Sequence, residues 1–499
     1  MINLLPFPLI LVVVLFSTLY IILKWFSSPL PKRKPLPPGP KPWPIVGNIF
    51  HIGKFPHISL ARFSDVYGPL ISVKLGTQIV VVASSPAAAT AILRTHDSSL
   101  SGRQVGQAAR IDNMDFDRVS LIFAPSCTDA WKSFRTLCRT ELFSAKAIEA
   151  QSILRENKMK EMVEYLRSRD GSVVSVGEVV FATVFNMLCN IIFSKDLMEL
   201  DDKEGPTGVK SLISTMLESG AAANIADFYP ILARLDPQGL RRKVAKCFKQ
   251  MCAVWEIIIK ERRESLAVGA RTDHRDFLDV FLSNGFDDQL INWLIAELLG
   301  AGADTTTATV EWAMTELFRN QQVLKKLCQE LEREIGNNPL NESNVSQLPY
   351  LNACVKETLR LHPPAPFLVP RRALETCEVM NYTIPKGAQV FVNVWAIGRS
   401  SSVWEDPLSF KPERFLRSSL DYKGHHFEFL PFGAGRRICP GLPLATKQVQ
   451  LILASLVHYF DWPLPSGGDA LELEVNEKFG IVLQKEQPLL FVPKAKPSF

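Results

Sequence analysis

From Asp288 to Asn320 the chain carries a helical pattern, and a helix of that span is about 50 Å long, a full domain diameter. A chain with such a rod must pack its other elements around it, and helical patterns dominate the remainder. Halfway along sits GAGADTTTA, Gly300 to Ala308. Gly300 and Gly302 weaken the backbone ladder, and Thr305, Thr306 and Thr307 can bond back to carbonyls, so a local widening of the helix is expected. Asp304 beside Thr305 sets an acid next to an alcohol, a pair suited to passing protons. The plainer alternative is a helix kink without chemistry. Glu297 lies two turns earlier on the same face; a salt bridge within the protein is expected there ahead of contact with a cationic ligand.

A second constraint is FLPFGAGRRICPGL, Phe429 to Leu442, where Phe432, Gly435, Arg437, Cys439 and Gly441 fit F-x-x-G-x-R-x-C-x-G. A buried thiolate donates electrons strongly and needs a metal or a cation, and haem iron is a partner that suits it. Gly433, Gly435 and Gly441 permit positive φ and close backbone approach, so loop amides can point at the sulfur. Phe432 would shield the ring face, and Arg437 offers a fixed fork for a carboxylate. The competing reading is a surface turn with an idle cysteine. The nine cysteines form no C-x-x-C pair and are odd in number, which argues against a disulfide framework. Cys127, Cys138, Cys189, Cys247, Cys252, Cys328, Cys354 and Cys377 read as ordinary core residues. A net charge of +5 gives no case for nucleic acid; it fits a membrane surface or an acidic protein partner.

Ile2 to Leu23 holds no charged residue and is about long enough to cross a bilayer. Lys24, Lys32, Arg33 and Lys34 follow, and the positive-inside rule leaves the body in the cytosol. No small-residue cleavage site appears, so an uncleaved anchor is expected. PLPPGPKPWP, Pro35 to Pro44, makes a stiff extended strut. The expected organisation is a transmembrane signal anchor over 1–24, a basic and proline-rich hinge over 25–45, and one catalytic domain over 46–499.

Leu70–Leu75 and Gln78–Ala83 are β-branched runs separated by Gly76, a hairpin of a small sheet. Trp131 and Arg135 share one helix face in WKSFR. Lys243 to Leu266 reads as a long helix, and Ala226–Gly239 as an apolar segment broken by Pro230 and Pro237. Phe228 and Tyr229 in that segment suit the bilayer, a pocket entrance or plain core packing equally. Glu357 and Arg360 in KETLR face together, with Glu413 and Arg414 in PERF ahead of the cysteine loop.

In this order, from end to end, the motifs resemble the cytochrome P450 family. The resemblance implies a mainly α fold with small β-sheets (α+β), heme b bound axially through Cys439, and NADPH-cytochrome P450 reductase as partner in the endoplasmic reticulum membrane. It implies that Asp304 and Thr305 deliver protons during oxygen activation. Trp131, Arg135, Arg371 and Arg437 would hold the haem propionates, with Arg372 as an alternative to Arg371. Glu357, Arg360 and Arg414 would brace the cysteine loop. Substrate selection is expected from Gly102–Cys127, Ser211–Leu232, Ile295–Ala301, Pro366–Val369 and Phe479–Val482. In finer wording (DAWKSFRTLCRTELFS, VPRRALETCEVMNYTIPKG) the chain resembles plant alkaloid-oxidising members, the N-methylcoclaurine 3′-hydroxylases with littorine mutase as a relative. Asp304 stands where those hydroxylases carry Glu, which keeps the acid. The implied activity is O2-dependent oxidation of a hydrophobic plant metabolite, an alkaloid. The alternatives are terpenoid hydroxylation, phenol coupling, a reductase-independent haem isomerase, and a non-catalytic ligand-binding module.

Overall fold

A computed structural model describes residues 34–111, 114–200, 208–268, 276–465 and 473–497. The expected anchor and, of the basic cluster, Lys24, Lys32 and Arg33 lie outside these residues. From Lys34 the proline-rich strut runs without helix along the sheet edge, as its locked φ angles dictate. Ser72 donates its backbone N–H to Pro38 O (2.9 Å) and its hydroxyl to Pro37 O (2.6 Å), while Thr383 N–H reaches Pro35 O at 2.9 Å. Gly39 is forced by this docking, because a Cβ there would lie 1.9 Å from Ser72 O.

The hairpin appears as expected, with β1 (Leu70–Leu75) antiparallel to β2 (Gln78–Ala83). Two later strands, β3 (Arg371–Arg372) and β4 (Gln389–Val392), complete a four-stranded sheet in the order β1-β2-β4-β3. The rest is mainly helical. The helices that build the site are α1 (Asp129–Glu141), α2 (Val176–Phe193), α3 (Val209–Ala221), α4 (Leu240–Ala267), α5 (Asp288–Arg319), α6 (Pro349–Leu361) and α7 (Leu442–Tyr459). Asp287 caps α5 by accepting Leu290 N–H, and Asn320 follows its last turn.

The rod is the centre of the molecule, with α2, α6 and α7 packed along it. By composition α2 is apolar enough to cross a membrane, yet nearly all of it is buried, so it is a core helix. Gly302 lies against α2: a Cβ there would meet Leu188 Cδ1 at 2.7 Å. The backbone here departs from expectation. The helix stays α-helical through Gly300–Ala308 and is not widened. Thr305 does bond back to Ala301 O (2.7 Å), and Thr309 to Thr305 O (2.8 Å).

Glu357 and Arg360 on α6 are both fully buried and form a bidentate pair, 2.7 Å at each contact. Arg414 Nε adds a third contact to Glu357 at 3.0 Å, and Lys411 N–H a fourth at 2.8 Å. Arg360 Nη1 also donates to Pro407 O at 2.7 Å, so the triad fastens the segment before the cysteine loop to the helical core.

Candidate active site

The cysteine loop ends against the N-terminus of α7. Gly433 and Gly435 take φ of 72° and 71°, as their residue type allows, and Gly435 has no substitute: a Cβ there would meet Asp97 Oδ1 at 2.5 Å. Gly441 corrects the expectation of positive φ, since its φ is −79° and it serves as the N-cap of α7. Cys439 N–H donates to Phe432 O at 3.0 Å, folding the loop on itself. Phe432 is half-buried, with its ring edge-on to Tyr422. Burial pushes the Cys439 thiol up, while the Gly441 and Leu442 amides and the Arg135 guanidinium pull it down. Burial is the larger pull, and the amides and guanidinium oppose it.

Around the loop stand four guanidinium groups. Arg135 on α1 donates to Ile438 O, and its cation lies 5.3 Å from the Trp131 ring. Arg437 packs against the same ring at 4.3 Å and donates to Ser101 O (3.1 Å) and Ala124 O (2.6 Å). Arg371, the inward residue of β3, reaches Asp97 (2.7 Å) and Ala434 O (3.0 Å), whereas Arg372 is exposed. Arg103, which the sequence analysis missed, is buried and donates to Val369 O (2.6 Å) and Pro370 O (3.1 Å). Trp131 spends its indole N–H on Leu121 O at 3.0 Å, so in this arrangement it supports the arginines through its ring.

This group is short of negative charge. Among the described residues Asp97 is the carboxylate it contacts, through Arg371, and Asp97 is shared with Arg436 outside the group. Burial lowers the pKa of all four, and neighbouring guanidinium groups lower those of Arg103 and Arg437 further. Arg437 Nη1 is buried with no partner. Buried cations in excess, one with an unspent donor, require anions. The two carboxylates of a haem fit this donor set, as Cys439 fits its iron. Arg103 and Asp97 carried no sequence signal because their partners sit hundreds of residues away.

On the other side, Ala301 is exposed and Gly302 and Thr305 are half-exposed, in the middle of an otherwise buried rod. Open space therefore borders α5 where the Asp304–Thr305 pair stands. Asp304 is buried, and desolvation pushes its carboxyl up to about 6. Glu297 makes neither a salt bridge nor an open cation site. It accepts from the Ser120 hydroxyl, Leu121 N–H (2.8 Å), Ile122 N–H (3.3 Å) and Trp293 Nε1–H (2.8 Å). Burial raises it to about 7 against those bonds. Its work is to pin residues 120–122 to α5, and that loop carries the carbonyls that receive Trp131 and Arg437.

The five segments expected to select substrate touch one another. Gln107 N–H donates to Asp227 Oδ1 (2.7 Å), Arg103 reaches Val369 O, Phe367 meets Phe479 (6.1 Å between ring centres), and Glu297 holds Leu121. Phe228 and Tyr229 dock on the sheet, through Thr77 N–H to Phe228 O (3.0 Å) and the Tyr229 hydroxyl to Ile45 O (3.2 Å).

This chain belongs to the cytochrome P450 family, whose model matches residues 37–492. It is a monooxygenase, and the family's cofactor is haem ligated by a cysteine thiolate. Such enzymes need O2 and a redox-partner reductase and act on small substrates. The chain is 50% identical over 493 residues to a probable (S)-N-methylcoclaurine 3′-hydroxylase isozyme 2 of Coptis japonica, covering 98% of this chain and 99% of that one. It is 49% identical to (S)-N-methylcoclaurine 3′-hydroxylase isozyme 1 of Papaver somniferum, covering 97% and 99%. A corytuberine synthase of Coptis japonica is 45% identical, again over 97% and 99%.

Proposed function

We propose that this protein hydroxylates an aromatic ring of a benzylisoquinoline alkaloid, drawing electrons from an NADPH-dependent reductase. The observation that carries the substrate class is the end-to-end likeness to N-methylcoclaurine hydroxylases. Haem, when bound, supplies the activation of O2 and the transfer of one oxygen atom. Cys439 would ligate its iron, Arg437, Arg371, Arg135 and Arg103 would meet its carboxylates, and Phe432 would cover one face. Trp131 keeps two of those arginines in place.

Asp304, with a pKa raised toward neutrality, holds a proton at the edge of the opening and releases it at working pH. Thr305 Oγ1 donates to Ala301 O and retains acceptor capacity for a water in the same opening. Together they form a proton path on the side of α5 that faces substrate.

Membrane attachment belongs to the same proposal. Residues 1–24 would be the anchor and 25–45 the hinge. The body then presents an apolar surface beside that hinge: Ile45 is 80% exposed and Ile231 89%, with Trp43, Phe50 and Leu235 also exposed. The Tyr229–Ile45 contact joins the two parts of this patch. So much exposed apolar surface suits a lipid interface.

Phenol coupling is the second reading, favoured by the likeness to corytuberine synthase. Terpenoid hydroxylation and tropane rearrangement rest on motif resemblance alone. Reductase-supported turnover of N-methylcoclaurine, littorine and a diterpene, read by mass, tests all of them. A gain of one oxygen on N-methylcoclaurine is expected; loss of two hydrogens would mean coupling. Product from littorine or the diterpene alone would overturn the substrate class.

A further inference from the structure

The tip at Phe479–Val482 lies between two short strands, β5 (Glu477–Lys478) and β6 (Gln484–Lys485). Two backbone pairs cannot fix a tip in space, so something else must. Glu477, its side chain about nine-tenths buried, accepts from His57 Nε2 (2.8 Å), Trp395 Nε1 (3.1 Å) and Arg399 Nη2 (3.4 Å). His362 Nδ1 stands 3.9 Å from the same carboxylate. These partners come from the start of the body, from residues 395–399 and from the end of α6. One carboxylate therefore ties three distant parts of the chain to the tip.

The tie reaches the substrate side through a ring. The fully buried His57 lies parallel to Phe479 at 5.4 Å, an interplanar angle of 11°, and Trp395 closes its edge at 5.0 Å. Phe479 in turn meets Phe367, within the segment Pro366–Val369. On its other flank, Ile481 packs near Gly220 of α3, where an added Cβ would be 3.5 Å from Ile481 Cδ1. Glu477 itself faces away, into an outer cleft of about 820 Å³ lined also by Lys54, His362 and Arg399.

We propose that Glu477 is a positioning residue for substrate selection: by holding His57 it fixes the ring on which Phe479 stacks, and so sets the size and shape of the mouth at Phe367 and Phe479. This rests on the reading that the tip lines the substrate space. It does not depend on which alkaloid is turned over. Reach and acceptor geometry matter here more than charge, because two of the three donors are a neutral indole and an imidazole. Glutamine can keep all three contacts if His57 presents Nε2 as acceptor, while aspartate is a methylene short.

The test uses haem-loaded enzyme titrated spectrally with two ligands of the same iron: imidazole, and the longer 4-phenylimidazole, whose added ring extends further into the substrate space. Glu477→Ala is expected to weaken 4-phenylimidazole about five- to tenfold and imidazole by less than about twofold. Glu477→Asp should show a smaller selective loss, and Glu477→Gln should restore the wild-type ratio. Phe479→Ala should reproduce the selective loss with Glu477 intact. If Glu477→Ala does not load haem, the order Asp worse than Gln still decides. Equal weakening of both ligands, or an unchanged ratio in Glu477→Asp and Phe479→Ala, overturns the proposal. Failure of wild-type enzyme to turn over N-methylcoclaurine would overturn only the substrate class.

Discussion

Two opposing pulls meet at Cys439, where burial favours the thiol while two backbone amides and a guanidinium favour the thiolate. Serine would preserve the loop but supplies an oxygen that does not ionise under the same pulls. Cys439→Ser is therefore expected to abolish the thiolate-type carbon monoxide difference spectrum, and persistence of that band would refute the ligand assignment. Burial leads at Asp304 as well. Burial raises it from 3.8 to about 6, so the folded chain holds this proton more tightly than the unfolded chain does. Its ionisation costs stability as pH rises through 6, and its supply of protons shrinks over the same window. Product formed per electron pair should fall between pH 6 and 8 in the wild type. In Asp304→Asn it should be low and flat, with peroxide released; an unchanged pH profile would place the proton source elsewhere. Thr305→Ala should uncouple likewise, without altering the pH limb.

Elements were legible where the pattern is local. The hairpin matches residue for residue, α5 ends one residue short of expectation, and α4 extends three residues earlier and one later than Lys243–Leu266. Hydrophobic period and turn residues suffice for these because each rests on neighbours in sequence. The cysteine loop was legible for the same reason. Arg103 and Glu477 were not, since an isolated Arg in SGRQVG or Glu in VNEKF gains meaning only from partners 266 and 420 residues away. Glu297 was misread on the same ground: the backbone amides that satisfy it carry no residue type. Deleting its carboxylate leaves a buried indole and two amides, of buried Leu121 and half-buried Ile122, without that partner. Glu297→Ala should cost about 2–4 kcal/mol of stability. It should also lower haem retention, because the loop it pins carries the acceptors of Trp131 and Arg437. Thermal melting and haem content of the purified variant would check both.

At the scale of the molecule, the long helices pack around one central rod, and buried ion clusters lock outer segments onto this helical core. Glu357 is the clearest lock. Removing its charge leaves Arg360 buried without a counter-ion, at a cost of about 3–5 kcal/mol. Glu357→Gln is expected to express poorly and to lose haem without touching it, which a haem-to-protein absorbance ratio would show.

The four guanidinium groups around the cysteine loop carry a last implication, for how much of this enzyme a cell can keep. Among the described residues Asp97 is the carboxylate they meet, and the two carboxylates of a haem would supply the balance. Folding and loading are then linked equilibria, and the chain's resistance to unfolding rises with the logarithm of free cofactor. Chains made faster than porphyrin is delivered would carry a self-repelling core and fall first to protein quality control. Porphyrin supply, as well as transcription, would set the ceiling on the amount of active enzyme.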